Sequence, residues 1–458
     1  MKKPSLMLSI IGIGGLIVLL LTGILVFQID IVLLLVLGII YITAISRLNG
    51  VKFRDIIDGM KQGCSEAFVG LLFFLLIGAI IGIWVQAGTV PALVYYGLNL
   101  LSPQYFLITS FIICSIVSAI VGTSWSTIGT VGIAIMGVAT SSGLSIPLYV
   151  VAGSIVSGSW FGDKMSPISD STVLTATACN TPVYEHIKSM CYTTLPSYAV
   201  SLVIFIFINR HYSQNVSLDT AAILEIQTVL HAHYNVGFLA FLPAILLFVL
   251  CVLKIDAIIT LISVIGTGVL CSVVVQGNIV TAAFDAVMSG VHVDTSVEAV
   301  NILLNRGGIT SMMPTFLLGF MALCLGGVLQ KTGFFHVLVE KVTGKLNHVF
   351  PLVLTTMATC ALGNAVFGDT YLTIVLNANM YKDAYDSRGL HTSMLSRTIE
   401  EAATMSTPLI PWAAASAFIM GALGVPTVEY AGFAVLNLVN PVVSLLFAAI
   451  GFGVIRKK

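Results

Sequence analysis

Apolar residues in this chain run in long blocks and do not alternate. Windows of about 17–25 mainly apolar residues are long enough to cross a bilayer as helix. Such windows fall at residues 6–27, 31–46, 67–87, 192–209, 234–253, 256–276, 312–330 and 432–455. Two longer stretches, 105–178 and 348–423, are interrupted by Gly, Pro and clustered polar residues and do not fit one helix each. The spacing predicts a re-entrant hairpin in each (105–140 and 348–380), followed by one broken span (145–178 and 395–423). The expected fold is an all-α polytopic membrane protein of about ten transmembrane helices plus two re-entrant hairpins, with broken helices at the midplane.

Composition supports this class. Of 458 residues, 57% are hydrophobic and 9% charged, against about 25% charged in a soluble protein. The segments are too long and uniformly apolar for a transmembrane barrel. Lys2-Lys3 before an apolar run resembles a signal peptide. No small-residue cleavage site follows and a second apolar run begins at once, so the segment reads as a retained first span.

Charge orients the spans. With the N-terminus inside, the cytoplasmic side receives Lys2, Lys3, Arg47, Lys52, Arg54, Lys61, Lys188, Lys254, Lys331, Lys341, Lys345, Lys382, Arg388, Arg397, Arg456, Lys457 and Lys458. Of the 20 Lys and Arg, only Arg210 and Arg306 fall outside, and Lys164 stays in the membrane. This positive-inside bias supports the two hairpins and places both termini in the cytoplasm.

The halves echo one another. Gln86-Ala-Gly88 resembles Lys331-Thr-Gly333, Gly122-Thr-Ser-Trp-Ser-Thr127 resembles Gly368-Asp-Thr-Tyr-Leu-Thr373, and Asp163…Ser166-Pro167 resembles Glu400-Glu401…Thr407-Pro408. An interfacial-looking helix at Phe53 to Gly63 loosely matches Phe284 to Gly290. The expected organisation is a first inverted repeat at 1–210, an extracellular connector at 211–233 and a second inverted repeat at 234–458. Paired breaks of this kind are a secondary-transporter signature.

The chemistry concentrates at the breaks. Between Glu66 and Asp163 there is no Asp, Glu, Lys or Arg; then Asp163-Lys164-Met-Ser166-Pro167-Ile-Ser-Asp170 follows. Ionisable residues inside a membrane mark an ion or substrate path. Pro167, Pro408 and Pro411 lack an amide hydrogen, so in helix they leave the carbonyls of Asp163, Thr404 and Thr407 without their usual partners. Freed carbonyls, hydroxyls and carboxylates are hard oxygen ligands suited to a small alkali cation. At the hairpin tips, Thr123, Ser124, Asn364 and Thr370 supply neutral oxygens and Asp369 a carboxylate, which also suits a helix N-cap.

Asp163 and Lys164 point different ways on a helix, so Lys164 is expected to reach Asp369, Glu400 or Glu401 across the repeat interface. Glu400 and Glu401 also suit a structural pair with Arg397. A carboxylate held by either Na⁺ or H⁺ is the physical requirement for cation–proton antiport. Asp163 and Asp369 are ranked as the Na⁺ ligands, ahead of Glu401, Glu400 and Asp170. Trp125, Trp160 and Trp412 lie at the breaks and are expected to pack or to wall a cavity. The eight Cys show no paired spacing and read as small core hydrophobes. His231 and His233 lie in a hydrophilic connector without nearby carboxylates, which argues against a metal site there.

The run Ser157-Gly-Ser-Trp-Phe-Gly-Asp-Lys-Met-Ser-Pro-Ile-Ser-Asp-Ser-Thr172 resembles the NhaC family of bacterial Na⁺/H⁺ antiporters. The similarity extends through Gly-Thr-Ser-Trp-Ser-Thr upstream, Gly-Asp-Thr-Tyr, and Glu-Glu-Ala-Ala-Thr-Met-Ser-Thr-Pro-Leu-Ile-Pro-Trp. It thus covers nearly the whole chain. The resemblance implies a multi-pass Na⁺/H⁺ exchanger of the bacterial plasma membrane, related to the ion-transporter superfamily. That family includes malate–lactate antiporter-like members and proposed amino-acid carriers, so a Na⁺- and H⁺-coupled organic-anion antiporter is the alternative. Expected partners are Na⁺, H⁺, membrane lipid and, in the alternative, malate or lactate. A homodimer is left open beside a monomer, and nucleic acid is not expected. No cofactor beyond the transported ions is expected. Polarity confined to two breaks argues against a continuous channel or a passive scaffold. The lack of an ATP-binding loop or soluble catalytic domain argues against a pump or an enzyme.

Overall fold

Capping residues start the first helices where the apolar pattern begins. Ser5 Oγ accepts from the Leu8 amide at 3.2 Å at the start of α1 (Leu6–Leu25). Asp30 accepts from the Val32 amide at 2.9 Å at the start of α2 (Ile31–Leu48), satisfying otherwise orphaned amides. The computed structural model describes residues 3–457 except 67, 101–102, 142–145, 168, 214–219, 254, 298–299, 302–303, 306 and 344–347. Lys2, Lys254, Arg306, Lys345 and Lys458 of the basic-residue tally, and the start of the broken span expected at 145, lie outside the described residues.

The first half continues with α3 (Phe53–Glu66), α4 (Phe68–Gln86) and α5 (Thr89–Leu100). The hairpin follows as α6 (Phe106–Val121), α7 (Ser124–Thr127), a π-helical turn (Ile128–Gly132) and α8 (Ile133–Ser141). Next come α9 (Leu148–Met165), α10 (Asp170–Ala178) and α11 (Val183–Ser213). α11 starts well before the span expected at 192–209.

The expected hydrophilic connector at 211–233 contains α12 (Thr220–His233). It leads to α13 (Leu242–Val252), α14 (Ala257–Val274) and α15 (Val280–Ser289). The second half then runs through α16 (Met313–Thr332), α17 (Phe334–Thr343), the hairpin α18 (Val349–Phe367) and α19 (Thr370–Asp386). It ends with α20 (Thr392–Ser406), α21 (Ala414–Leu423), α22 (Thr427–Tyr430) and α23 (Val435–Ile450). Among the described residues no strand forms, and Leu390 and Arg456 make an isolated β-bridge.

The chain is therefore an all-helical polytopic membrane protein. Among the described residues, 5 helices qualify as spans by length and composition, or up to 9 when each bent pair counts as one. The window expected at 256–276 contributes only the shorter apolar helix Ile258–Val274.

Corresponding elements of the halves end alike. Gly88 and Gly333 close α4 and α16 with φ of 76° and 73°, and Gly122 and Gly368 close the first hairpin arms with φ of 79° and 66°. Glycine takes this left-handed conformation without a Cβ clash. Asp256 caps α14 as Asp30 caps α2. In the second hairpin the arms run antiparallel: Thr359 bonds Asn377 at 2.8 Å and Tyr381 at 3.0 Å, and Tyr385 bonds Thr356 at 3.3 Å.

The halves also interlock. The amphipathic helix of each packs on the first span of the other half's core, α3 on α16 and α15 on α4. Backbone meets backbone at these crossings: a Cβ on Gly59 would stand 2.8 Å from the Gly327 oxygen, and one on Gly82 would stand 3.1 Å from the Ala286 carbonyl carbon. Small residues drive such close approach where lipid removes the hydrophobic incentive.

Another close approach positions the segment that carries Asp163. α9 lies on α6 through Gly158 and Gly162, and Ser118 Oγ donates to the Ser159 carbonyl at 2.6 Å. A Cβ on Gly158 would lie 2.8 Å from Cys114 Cβ. Gly158→Leu is expected to destabilise the protein by about 1–3 kcal/mol, the usual cost of overpacking. Thermal unfolding in detergent checks this, and an unchanged midpoint would contradict the close packing.

Candidate ion-binding site

Both long polar regions break where proline and the polar run fall. α9 stops at Met165 and α10 begins at Asp170, with Ser169 as N-cap. α20 passes through a 3-10 turn (Thr407–Leu409) before α21, and the two segments are bent by 48°. The hairpin tips face these breaks. Ser124 donates to Asp163 Oδ2 twice, from its amide at 3.1 Å and its hydroxyl at 2.6 Å. At the other tip, the Gly368 carbonyl accepts from the Ala414 amide at 2.9 Å. Asp369 caps its own helix α19 by accepting from the Leu372 amide at 2.9 Å.

A cavity of about 40 Å³ lies between the tips and breaks. Asp163, Asp170 and Asp369 line it, together with the hydroxyl residues Ser124, Thr370, Thr404 and Thr407. Trp125, Trp160 and Tyr371 form its aromatic wall, and no basic residue lines it. Asp163 is buried, whereas Asp170 and Tyr371 are exposed, so the cavity opens between α10 and α19. Tyr371 donates to Asp170 Oδ2 at 2.5 Å. The second carboxylate oxygen of Asp163 accepts from Ser169, whose hydroxyl lies 3.1 Å from that of Ser171.

Seven expected site residues thus converge: Ser124, Asp163, Asp170, Asp369, Thr370, Thr404 and Thr407. Six stand outside the cavity lining. Thr123 precedes α7 and accepts from Thr127 Oγ1 at 3.0 Å through its carbonyl. Ser166 is buried in the α9–α10 break. Asn364 clamps the other break, donating to the Ala403 carbonyl at 2.5 Å and to the Ser406 and Thr407 hydroxyls at 2.8 Å. Lys164, Glu400 and Glu401 are fully buried behind the cavity.

Two expectations need correction. Lys164 reaches no carboxylate: its amine donates to Asn440 Oδ1 of α23 at 2.6 Å. Glu400 instead accepts from Thr175, from Thr404 at 2.8 Å and from Ser171 at 3.3 Å, while Glu401 accepts from Thr193 and Ser444. Arg397 donates to the Ser189 carbonyl at 3.2 Å, so it does not form the expected pair either. Among the described residues, every ion pair lies outside this buried cluster. Hydroxyl and amide donors take the place of counter-charges.

Nor are the three carbonyls free. The Asp163 carbonyl accepts from the Ser166 amide at 3.1 Å and Thr172 Oγ1 at 3.3 Å. The Thr404 carbonyl takes the Trp160 indole N–H at 2.8 Å, and the Thr407 carbonyl takes Ser416 Oγ at 3.2 Å. Side chains restore what proline removes, as the hydrocarbon interior requires.

Sequence reasoning did not single out Tyr371, Ser169 or Ser171, although each lies inside a quoted motif. It also missed the polar stripe Asn437, Asn440 and Ser444 on α23. Their helical spacing in an otherwise apolar span is a usable signal for a face turned inward.

The arrangement has one chemical capacity above all. Three carboxylates around so small a space need positive compensation, which a bare cation or protons can supply. Such a volume admits a few water-sized particles, far below the several hundred Å³ typical of organic-ligand pockets.

The sequence matches the Na⁺/H⁺ antiporter family over residues 2–209 and 158–452. A Na⁺/H⁺ antiporter NhaC from Alkalihalophilus pseudofirmus is 33% identical, covering 99% of this chain and 97% of its own. A malate-2H⁺/Na⁺-lactate antiporter from Bacillus subtilis is 34% identical over 89% of this chain and 84% of its own. The arginine/ornithine antiporter ArcD from Halobacterium salinarum is 30% identical over 100% and 94%.

Trp160 joins the two broken spans directly. Trp160→Phe keeps most of the ring but leaves the buried Thr404 carbonyl unpaired, at an expected cost of about 1–3 kcal/mol. A lowered unfolding midpoint in detergent checks this; wild-type stability would show that the bond does not hold the spans together.

Proposed function

The chain belongs to the Na⁺/H⁺ antiporter family, and on that premise we propose that it exchanges cytoplasmic Na⁺ for external H⁺ at one shared carboxylate site. The observation carrying this reading is the small cavity lined by Asp163, Asp170 and Asp369 without a basic residue. Na⁺ prefers carboxylate and hydroxyl oxygens, and Asp163 and Asp369 are its principal ligands in this proposal. Ser124, Thr370, Thr404 and Thr407 complete the oxygen surface. A proton on the same carboxylates removes the charge that holds the cation, so occupancy by one excludes the other.

The positions of the basic residues support an orientation in the bacterial plasma membrane with both termini cytoplasmic. In that orientation the open side of the cavity, between α10 and α19, faces the cytoplasm, the side from which Na⁺ is collected. Residues 1–210 and 234–458 act as two inverted repeats, a reading supported by their common element order and by the reciprocal crossings of α3 and α15. Turnover then requires the site to be offered alternately to each side.

The malate–lactate and arginine–ornithine relatives motivate organic substrates, but the volume disfavours them. A dicarboxylate would also meet three carboxylates without a cationic partner in the cavity lining.

Asp163→Asn is expected to reduce Na⁺-dependent proton movement in everted vesicles to background while leaving membrane insertion intact. Normal exchange by that variant overturns the shared-carboxylate mechanism. Malate, lactate, arginine and ornithine should leave the Na⁺ flux of the wild-type protein unchanged, and acceleration by any of them favours the organic-substrate reading instead.

A further inference from the structure

Two of the scattered cysteines meet in space. Cys64 on α3 and Cys324 on α16 are both free thiols, and their sulfurs lie 3.4 Å apart. The contact is built by the glycine crossing beside it. A Cβ on Gly63 would stand 3.0 Å from Gly327 Cα, and one on Gly59 would stand 3.0 Å from Lys331 Cβ. With the backbones this close, the thiols have little room to turn apart. A disulfide requires these sulfurs to close from 3.4 Å to roughly 2.05 Å.

The pair differs in access. Cys324 is buried, whereas Cys64 is only half-buried. α3 is amphipathic and carries Lys61 on its exposed face, 75% accessible, so its outer side meets water. Hydrogen bonding with Cys324 draws the Cys64 thiol below its ordinary value, against the opposing effect of burial. Thiolate character and access together make Cys64 the attacking sulfur and Cys324 the resolving one.

The position links the pair to the ion site. Cys324 lies between Ala322 and Gly326 on α16, and both touch the second hairpin tip. Ala322 Cβ lies 3.2 Å from where a Cβ on Gly368 would be, and a Cβ on Gly326 would stand 3.1 Å from Phe367 Cα. α16 therefore backs the tip that presents Asp369 and Thr370. Its contact with α3 is made through Gly59, Gly63 and Gly327, so a bond between the two helices would also restrain the element that backs the tip.

We propose that Cys64 and Cys324 form a thiol-oxidation site, closed to a disulfide by a small-molecule disulfide from the aqueous side of α3, and that the bond arrests exchange by fixing α3 to α16. The Cys64 thiolate attacks one sulfur of the small disulfide, forming a mixed disulfide and releasing one thiolate. Cys324, losing its proton to water, then attacks the Cys64 sulfur and releases the second small thiol. Two electrons pass from the protein thiols to the small disulfide, and reduction by a dithiol reverses both steps. The arrest rests on the Na⁺/H⁺ reading above, whereas formation of the bond does not.

The test uses the full-length protein in everted vesicles treated with oxidised glutathione, then alkylated and digested. The proposal expects a disulfide-linked peptide pair containing Cys64 and Cys324. Exchange should fall by about ten-fold or more, as when a conformational step is blocked, and dithiothreitol should restore it. Cys64→Ser and Cys324→Ala should exchange normally and resist the oxidant. Absence of the linked pair, an unchanged rate in the linked protein, or equal inhibition of either variant overturns the proposal. A reduced wild-type protein that moves no protons with Na⁺ overturns the exchange reading instead, because the peptide readout does not depend on the ion carried.

Discussion

Every backbone polar group in the hydrocarbon interior must find a partner within the protein, and the four interruptions around the cavity are built on that constraint. Proline and glycine open the helices at 166–169, 407–413, 122–123 and 368–369, and each opening is closed by a group from elsewhere. Ser124 closes onto Asp163, Ala414 onto Gly368, and Trp160 onto Thr404. These bonds hold the broken elements together around the cavity carboxylates. The site is thus a by-product of satisfying the breaks. It is also the reason the breaks can persist.

The two tips solve the same problem with different residues. Asp369 caps the second arm of its own hairpin, whereas Thr123 stands at the matching position of the first and makes no side-chain cap bond. The missing carboxylate is supplied by Asp163 from the neighbouring broken span. Conversely, Glu400 and Glu401, which match Asp163 in sequence order, turn away into hydroxyl cages behind the cavity. One half therefore contributes its acid from the span and the other from the tip, and both acids reach the same space.

The helix breaks near Gly122, Pro167, Gly368 and Pro408 and the convergence of Asp163 and Asp369 on one cavity were legible because Gly, Pro and charge are conspicuous in an apolar background. The facing of Lys164, Glu400 and Glu401 was not legible. A proline break resets the rotational phase of a helix, so spacing from Asp163 or Thr404 no longer predicts the direction of a side chain. The contact between Cys64 and Cys324 was hidden for a different reason. It depends on a crossing between distant helices, and nothing local to either cysteine encodes it. Asn440 belongs to a stripe of three polar residues, with Asn437 and Ser444, on a span whose apolar character dominates the sequence.

The placement of Lys164 bears directly on the charge of the cavity. An amine beside the three cavity carboxylates would neutralise part of their charge and weaken the hold on a cation. The structure instead commits that amine to Asn440, which in turn donates to Ser197 at 3.2 Å, on the far side of α9. The fixed positive charge is held outside the cavity lining, and the buried Glu400 and Glu401 are held by hydroxyl donors. No side-chain cation therefore lines the three cavity carboxylates. A site that depends on a mobile charge can exchange one ion for another, whereas one closed by an internal salt bridge could only hold its shape.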